Sequence, residues 1–196
     1  RFRKLNGAQA YPSKTKDFCD VDFSTGSVGL GGAMTIFSSF TQDFLEENNL
    51  LENEPNKMIS IFGDAELDEG NVYEALLEGA KHNLKNCWWI IDYNRQSLDG
   101  IVFEKLFEKI INLFELMDWN VEILKYGSKL QKLKKSKSGK KILKWIDNCP
   151  NDLFSALTYQ GGKDWRKTLL EVFSNDQDTI NLIQSFNDEN LNGLMT

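Results

Sequence analysis

Apolar and polar positions change their period several times along this chain, and each change marks an element. Residues 1–31 show no period. "LNGAQAYPSKTKDFCD" is polar, and "FSTGSVGLGG" sets Gly26, Gly29, Gly31 and Gly32 within seven positions, so the stretch reads as loop. "AMTIFSSFTQDFLEENN" then places Ile36, Phe40 and Phe44 four apart, with Phe37 beside them, which predicts a helix with one apolar stripe. "ENEPNK" is a turn, and "MISIF" (58–62) is a short uncharged run that predicts a strand buried on both faces. "GDAELDEG" is a loop. "NVYEALLEGAKHN" is a helix with Val72, Leu76 and Ala80 on one face. "CWWIIDY" (87–93) is a second buried strand, and "NRQSLDG" is a loop again. A helix over 104–117 carries Leu106, Phe107, Ile110, Ile111, Phe114 and Met117 at helical spacing, and "NVEIL" (120–124) predicts a third strand. Alternation of strand and helix predicts an α/β fold, a parallel sheet with helices on both faces. The expected organisation is one domain over 1–196: a loop region at 1–31, an α/β core at 32–125, and a mostly helical part at 126–196.

Composition narrows the class. With 41% hydrophobic and 27% charged residues over 196 positions, the chain suits a soluble globular protein able to bury a core without staples. A formal charge of −6 argues against nucleic acid as a partner, since such binders are usually basic. The lysine-rich "LQKLKKSKSGKK" has no interleaved aromatics and reads as a solvated loop or helix end. No apolar run approaches the roughly 20 residues of a membrane span, and no signal peptide is visible. Cys19, Cys87 and Cys149 are odd in number and far apart, which predicts reduced thiols and a cytoplasmic setting. The one histidine, His82, reads as an exposed polar residue and leaves little material for histidine-based catalysis. The chain starts at Arg1, which suggests a fragment of a longer protein.

The candidate chemistry lies where the two strands end. The first runs into Gly63-Asp64 and the second into Asn94, about one strand–helix–strand unit later. A crossover of that kind returns the chain parallel to its start, so Asp64 and Asn94 belong at the same sheet edge, within reach of one ion. A carboxylate, an amide oxygen and nearby carbonyls are hard ligands suited to Mg²⁺ or Ca²⁺. Magnesium also takes phosphate oxygens, and the helix starting near 69–71 offers N–H groups to a phosphate. The same spacing fits a plainer arrangement, in which Asp64 caps one turn and Asn94 closes another. Other motifs fail in detail. "DAELDEG" has its Gly one place late for a calcium loop and Ala75 where the bidentate Glu belongs. "TGSVG" lacks the first Gly of a nucleophile elbow. No P-loop occurs.

"GDAELDEGNVYEAL … IDYNRQSLDG" resembles the thiamin diphosphate motif of the transketolase superfamily, a Gly-Asp-Gly followed some thirty residues later by an Asn. Within that superfamily the chain is most similar to the decarboxylating component of homodimeric bacterial pyruvate dehydrogenases. The likeness rests on Tyr11-Pro12, on Ser27-Val28-Gly29-Leu30-Gly31, and on Asn94, Gln96, Leu98, Asp99 and Gly100. Trp119-Asn120-Val121 and Gly127-Ser128 add to it. "DEGNVYEAL" also resembles transketolase proper. The resemblance implies the diphosphate-binding domain of a thiamin diphosphate enzyme. Asp64, the Asn94 side chain and the Gln96 carbonyl would hold Mg²⁺. Gly63, Ala65 and Glu66 would line the diphosphate. Gly26 and Val28 would offer backbone groups to the aminopyrimidine, and Leu98 would pack near the thiazolium. Tyr11 would face substrate, and Glu69 would lie near a dimer interface linking two sites.

The implied activity is oxidative decarboxylation of pyruvate with transfer of the acetyl unit to a lipoyl group. The implied partners are a pyrimidine-binding domain or second subunit, absent from this chain, a homodimeric mate and a lipoyl acetyltransferase. An isolated chain is expected to be inactive. Transketolase-type transfer of two-carbon units between sugar phosphates is the alternative, and a degenerate non-catalytic domain is another. One departure stands out: the second Gly of the motif is Ala65, costly by about 1 kcal/mol or more if that position needs a positive φ.

Overall fold

A computed structural model describes residues 4–7, 9–18, 20–51, 56–97 and 100–195. The chain divides into two compact units, residues 1–100 with 106–121, and residues 101–105 with 122–196. The first unit contains α1 (Leu30–Glu47), β1 (Met58–Gly63), a 3₁₀ turn (Asp64–Asp68), α2 (Gly70–Lys81), β2 (Cys87–Asp92) and α3 (Leu106–Leu116). The two strands pair in parallel, in register from Met58↔Cys87 to Gly63↔Asp92. Such pairing needs a crossover connection, which α2 provides. Both strand ends therefore reach the same edge of the sheet.

One face of this sheet carries the core. Ser60, Phe62, Cys87 and Trp89 point to it, and Ile36, Val72 and Ala75 pack there with them. Trp89 is the hub. Its ring lies 4.9 Å from Phe62, 5.0 Å from Trp119 and 5.8 Å from Phe114, and its Nε1–H donates to Thr35 Oγ1 at 3.0 Å.

Three expectations are corrected here. The buried face of α1 is Gly32, Thr35, Ile36, Ser39 and Gln42, whereas Phe37, Phe40 and Phe44 are exposed. Small and polar residues face inward because their partners are backbone and amide groups: Gln42 exchanges hydrogen bonds with the main chain of Asn56, and Ser39 donates to Asn86 Oδ1. Helices on both faces are not what the described residues show either. Ile59, Ile61, Trp88 and Ile90, on the second face, stay exposed. Finally, 120–124 forms no strand among the described residues; Glu122, Ile123 and Leu124 are exposed and make no ladder, since a strand gains its hydrogen bonds only from a neighbouring edge.

The second unit is helical, as the sequence pattern predicts: α4 (Ser128–Leu133), α5 (Lys137–Asn148), α6 (Asn151–Gln160), α7 (Gly162–Val172), α8 (Gln177–Gln184) and α9 (Asp188–Met195). Trp165, Leu169, Ile183 and Leu191 are fully or almost fully buried at its centre, with Ile142, Leu143, Ile146 and Leu157 around them. The chemistry of each junction is readable. Ser136 Oγ accepts the Gly139 N–H at the start of α5, and Asp176 accepts the Thr179 N–H at the start of α8. Arg166 gathers the end of α8, donating to the carbonyls of Ile183 and Phe186 and to Asp188 Oδ1. Gly162 allows α7 to meet the first residue of α9, because a Cβ there would fall 1.8 Å from the Asp188 carbonyl oxygen. The lysine-rich stretch is solvated as expected: every lysine from Lys129 to Lys144 is exposed, while Leu133, Ile142 and Leu143 beside them face the core.

Candidate functional site

The tips of β1 and β2 converge on one buried carboxylate. Asp64, one residue past β1, is 3% exposed. Its Oδ2 accepts the N–H groups of Asn94 at 3.2 Å and Arg95 at 3.0 Å, just past β2. Its Oδ1 accepts the Ala65 N–H at 3.1 Å. Arg95 takes a left-handed conformation, φ 65°, at the point where the chain leaves these two amides. Burial pushes the Asp64 carboxyl above its usual range, and the N–H groups of Arg95, Asn94 and Ala65 pull the other way. No lysine, arginine or histidine pairs with Asp64 among the described residues. A buried carboxylate so placed is held rigidly, yet lacks a counter-cation, and a bound cation would satisfy it.

The surrounding groups are oxygen-rich. Asn94 is exposed, and its Oδ1 accepts the Gln96 N–H at 2.8 Å, an Asx turn that fixes the start of the loop. The loop is tied back to the 3₁₀ turn by Ser97 Oγ, which donates to Asp68 Oδ2 at 2.9 Å. Open space lies over Gly63: a Cβ built there meets nothing within 4 Å. Hard oxygen donors at a strand edge, with room above the adjacent glycine, fit Mg²⁺ and a phosphate ester better than a soft metal. No cluster of three His, Cys, Asp or Glu side chains suited to a metal occurs among the described residues. Any cation here would depend on amide and carbonyl oxygens as well as Asp64.

The other predicted site residues fall as follows. Gly26 and Tyr11 come together, since a methyl on Gly26 would lie 3.9 Å from Tyr11 Cε1; Tyr11 itself is exposed. The Val28 N–H donates to the Gly26 carbonyl at 2.9 Å, and the Val28 carbonyl accepts Asn71 Nδ2–H at 2.9 Å. Ala65 lies in the 3₁₀ turn without a positive φ, so the substitution of the motif's second glycine carries no backbone strain. Its N–H donates to Asp64 Oδ1. Glu69 caps α2 through its carbonyl, which accepts the Val72 N–H at 3.1 Å. Leu98, with Asp99, lies outside the described residues, as does Cys19. Cys87 and Cys149 are buried free thiols.

Two residues that motif reading leaves in the wrong place or misses are Glu66 and Asn71. Glu66 does not line open space. Its Oε1 accepts the Gly63 N–H at 3.3 Å and its Oε2 accepts the Gly29 N–H at 3.1 Å. Only the three-residue spacing from Gly63 to Glu66, which matches a capping box, hints at the first of these bonds. Nothing in the sequence points to the second, or to the hold of Asn71 on Val28, because both span some forty residues of chain.

Residues 1–144 match the family described as "Transketolase, thiamine diphosphate binding domain". Among curated proteins, the chain is 24% identical over 188 residues to the pyruvate dehydrogenase E1 component of Escherichia coli (strain K12), a match covering 95% of this chain and 21% of that protein. It is 24% identical over 193 residues to the protein of the same name from Corynebacterium glutamicum, covering 96% and 20%. The corresponding Haemophilus influenzae protein is 34% identical over 121 residues, 60% of this chain and 14% of the relative. The chain thus spans about a fifth of the length of the curated relatives it matches.

Proposed function

The chain belongs to the transketolase thiamine diphosphate-binding domain family, and on that premise we propose that it anchors the diphosphate of thiamin diphosphate through Mg²⁺ at the joined tips of β1 and β2, as part of a 2-oxo acid dehydrogenase of the pyruvate dehydrogenase E1 kind. The observation that carries the reading is Asp64, a buried carboxylate without a cationic partner among the described residues, fixed by N–H groups thirty residues away. Asp64, Asn94 Oδ1 and the Gln96 carbonyl are the groups that would hold the ion. Gly63, with open space above it, and the neighbouring Ala65 would form the floor beneath the diphosphate, with Glu66 accepting the Gly63 N–H beside them. The loop at Gly26 and Val28, close to Tyr11, and Leu98 farther along would address the rings, with Tyr11 toward substrate.

When bound, thiamin diphosphate supplies a carbon nucleophile and an electron sink for removing carbon dioxide from a 2-oxo acid. This chain's residues bind and orient; they hold the charged end of the cofactor at a defined sheet edge. The names of the curated relatives favour pyruvate as substrate over sugar phosphates. A pyrimidine-binding domain or second subunit, with Glu69 near a shared interface, would complete the site, and a lipoyl acetyltransferase would receive the acetyl unit. The described residues contain no helix long and apolar enough to cross a membrane.

Calorimetric titration with thiamin diphosphate, with and without Mg²⁺, tests the reading. Binding that requires Mg²⁺ and disappears in Asp64→Ala is expected. Equal affinity in that variant would reject the metal assignment.

A further inference from the structure

We infer that Glu66 is a positioning residue: its carboxylate is a strut that locks the loop entering α1 to the tip of β1, and so sets the spacing between the ring-facing and diphosphate-facing parts of the site. The inference rests on the cofactor reading above and extends it to a residue that motif analysis counts as part of the diphosphate lining.

The geometry is specific. Each carboxylate oxygen takes one main-chain N–H, Oε1 from Gly63 and Oε2 from Gly29. Gly63 ends β1 beside Asp64; Gly29 precedes α1 and follows Val28. The two glycines are 34 positions apart, and the described residues show no direct main-chain bond between them. Gly29 also lies close against α2, with φ 72° and space for no Cβ, since one would fall 2.6 Å from Val72 Cγ2. Asn71 holds the adjacent Val28 carbonyl. The loop is thus fixed on its N–H side by Glu66 and on its carbonyl side by Asn71.

Charge supports the same assignment. A carboxylate facing a diphosphate would repel it. Here the Glu66 charge is turned to two N–H groups, one of them at the N-terminal end of an 18-residue helix, where negative charge is favoured. An amide at this position has one acceptor oxygen and keeps one bond; an aspartate is too short to reach both.

The test uses the whole chain and the variants Glu66→Gln, Glu66→Asp and Glu66→Ala. Amide hydrogen exchange is read by NMR at Gly29 and Gly63 without ligand. Binding is read with two probes, thiamin diphosphate and magnesium pyrophosphate. Loss of one charge-assisted bond predicts that in Glu66→Gln one of the two amides exchanges roughly tenfold faster or more, with the β1–β2 ladder unchanged, and that both do so in Glu66→Ala. Thiamin diphosphate affinity should fall roughly tenfold or more in all three variants, without rescue by aspartate, while magnesium pyrophosphate affinity holds. Parental exchange at both amides in Glu66→Gln would overturn the proposal. So would an equal fall in affinity for both probes, which would place Glu66 at the diphosphate itself. Failure of the parent chain to bind either probe would overturn the cofactor reading, and the exchange data would show separately whether the strut exists.

Discussion

A single substitution in the motif, Ala65 for the second glycine, raises the question of strain, and the backbone answers it. Ala65 sits in a 3₁₀ turn without a positive φ and supplies its N–H to Asp64. Glycine at this point would add only freedom to the unfolded chain. Ala65→Gly is therefore expected to lower stability by about 0.5–1 kcal/mol and to leave thiamin diphosphate affinity unimproved. Urea denaturation and calorimetry on the same variant check both parts. A gain in affinity would show that the bound form needs a conformation alanine resists. Arg95 is the converse case. It takes a left-handed conformation, φ 65°, while its N–H reaches Asp64, and no residue-type preference in the sequence announces it.

Among the elements, α8 shows how a helix start becomes sensitive to acid. Asp176 caps it, accepting from Thr179 N–H and Thr179 Oγ1–H, and pairs with Lys141 of α5. The hydrogen bond from Lys141, with those of Thr179, holds the Asp176 carboxyl below its ordinary value of 3.8. The folded state thus binds this proton less readily than the unfolded chain. The contribution is present above pH 3.8 and is lost as pH falls through the lowered folded value. Asp176→Asn keeps a capping oxygen but no charge. Its stability is expected to decline less than that of the parent between about pH 4 and pH 2, measured by urea unfolding at each pH. A parallel decline would mean that the ion pair contributes nothing to folding.

At the scale of the whole molecule, each of the two units is packed by its own described residues, the first on the Trp89 face of the parallel strand pair and the second around Trp165. Trp165 is fully buried, with the rings of Trp145 and Phe154 at 6.3 and 5.4 Å. Trp165→Ala is expected to cost its unit about 3–5 kcal/mol, seen as faster amide exchange in α7 and α9. Protection unchanged there would show that the helical unit does not depend on this ring.

Much of this organisation was legible in advance, for a local reason. Runs such as "MISIF" and "CWWII" are short, apolar and bounded by turn residues, as strands are, the existence of the helices follows from apolar spacing, and the Asp64-to-Asn94 interval is the length of one crossover. These depend on neighbours in the chain, so periodicity and turn chemistry reveal them. Tertiary structure alone decided which side of α1 is buried, that 120–124 stays out of the sheet, and that Glu66 bridges two main-chain segments instead of facing open space. Each of those depends on which distant groups arrive with unmet hydrogen bonds or unfilled volume, and a partner tens of residues away leaves no trace in the local pattern.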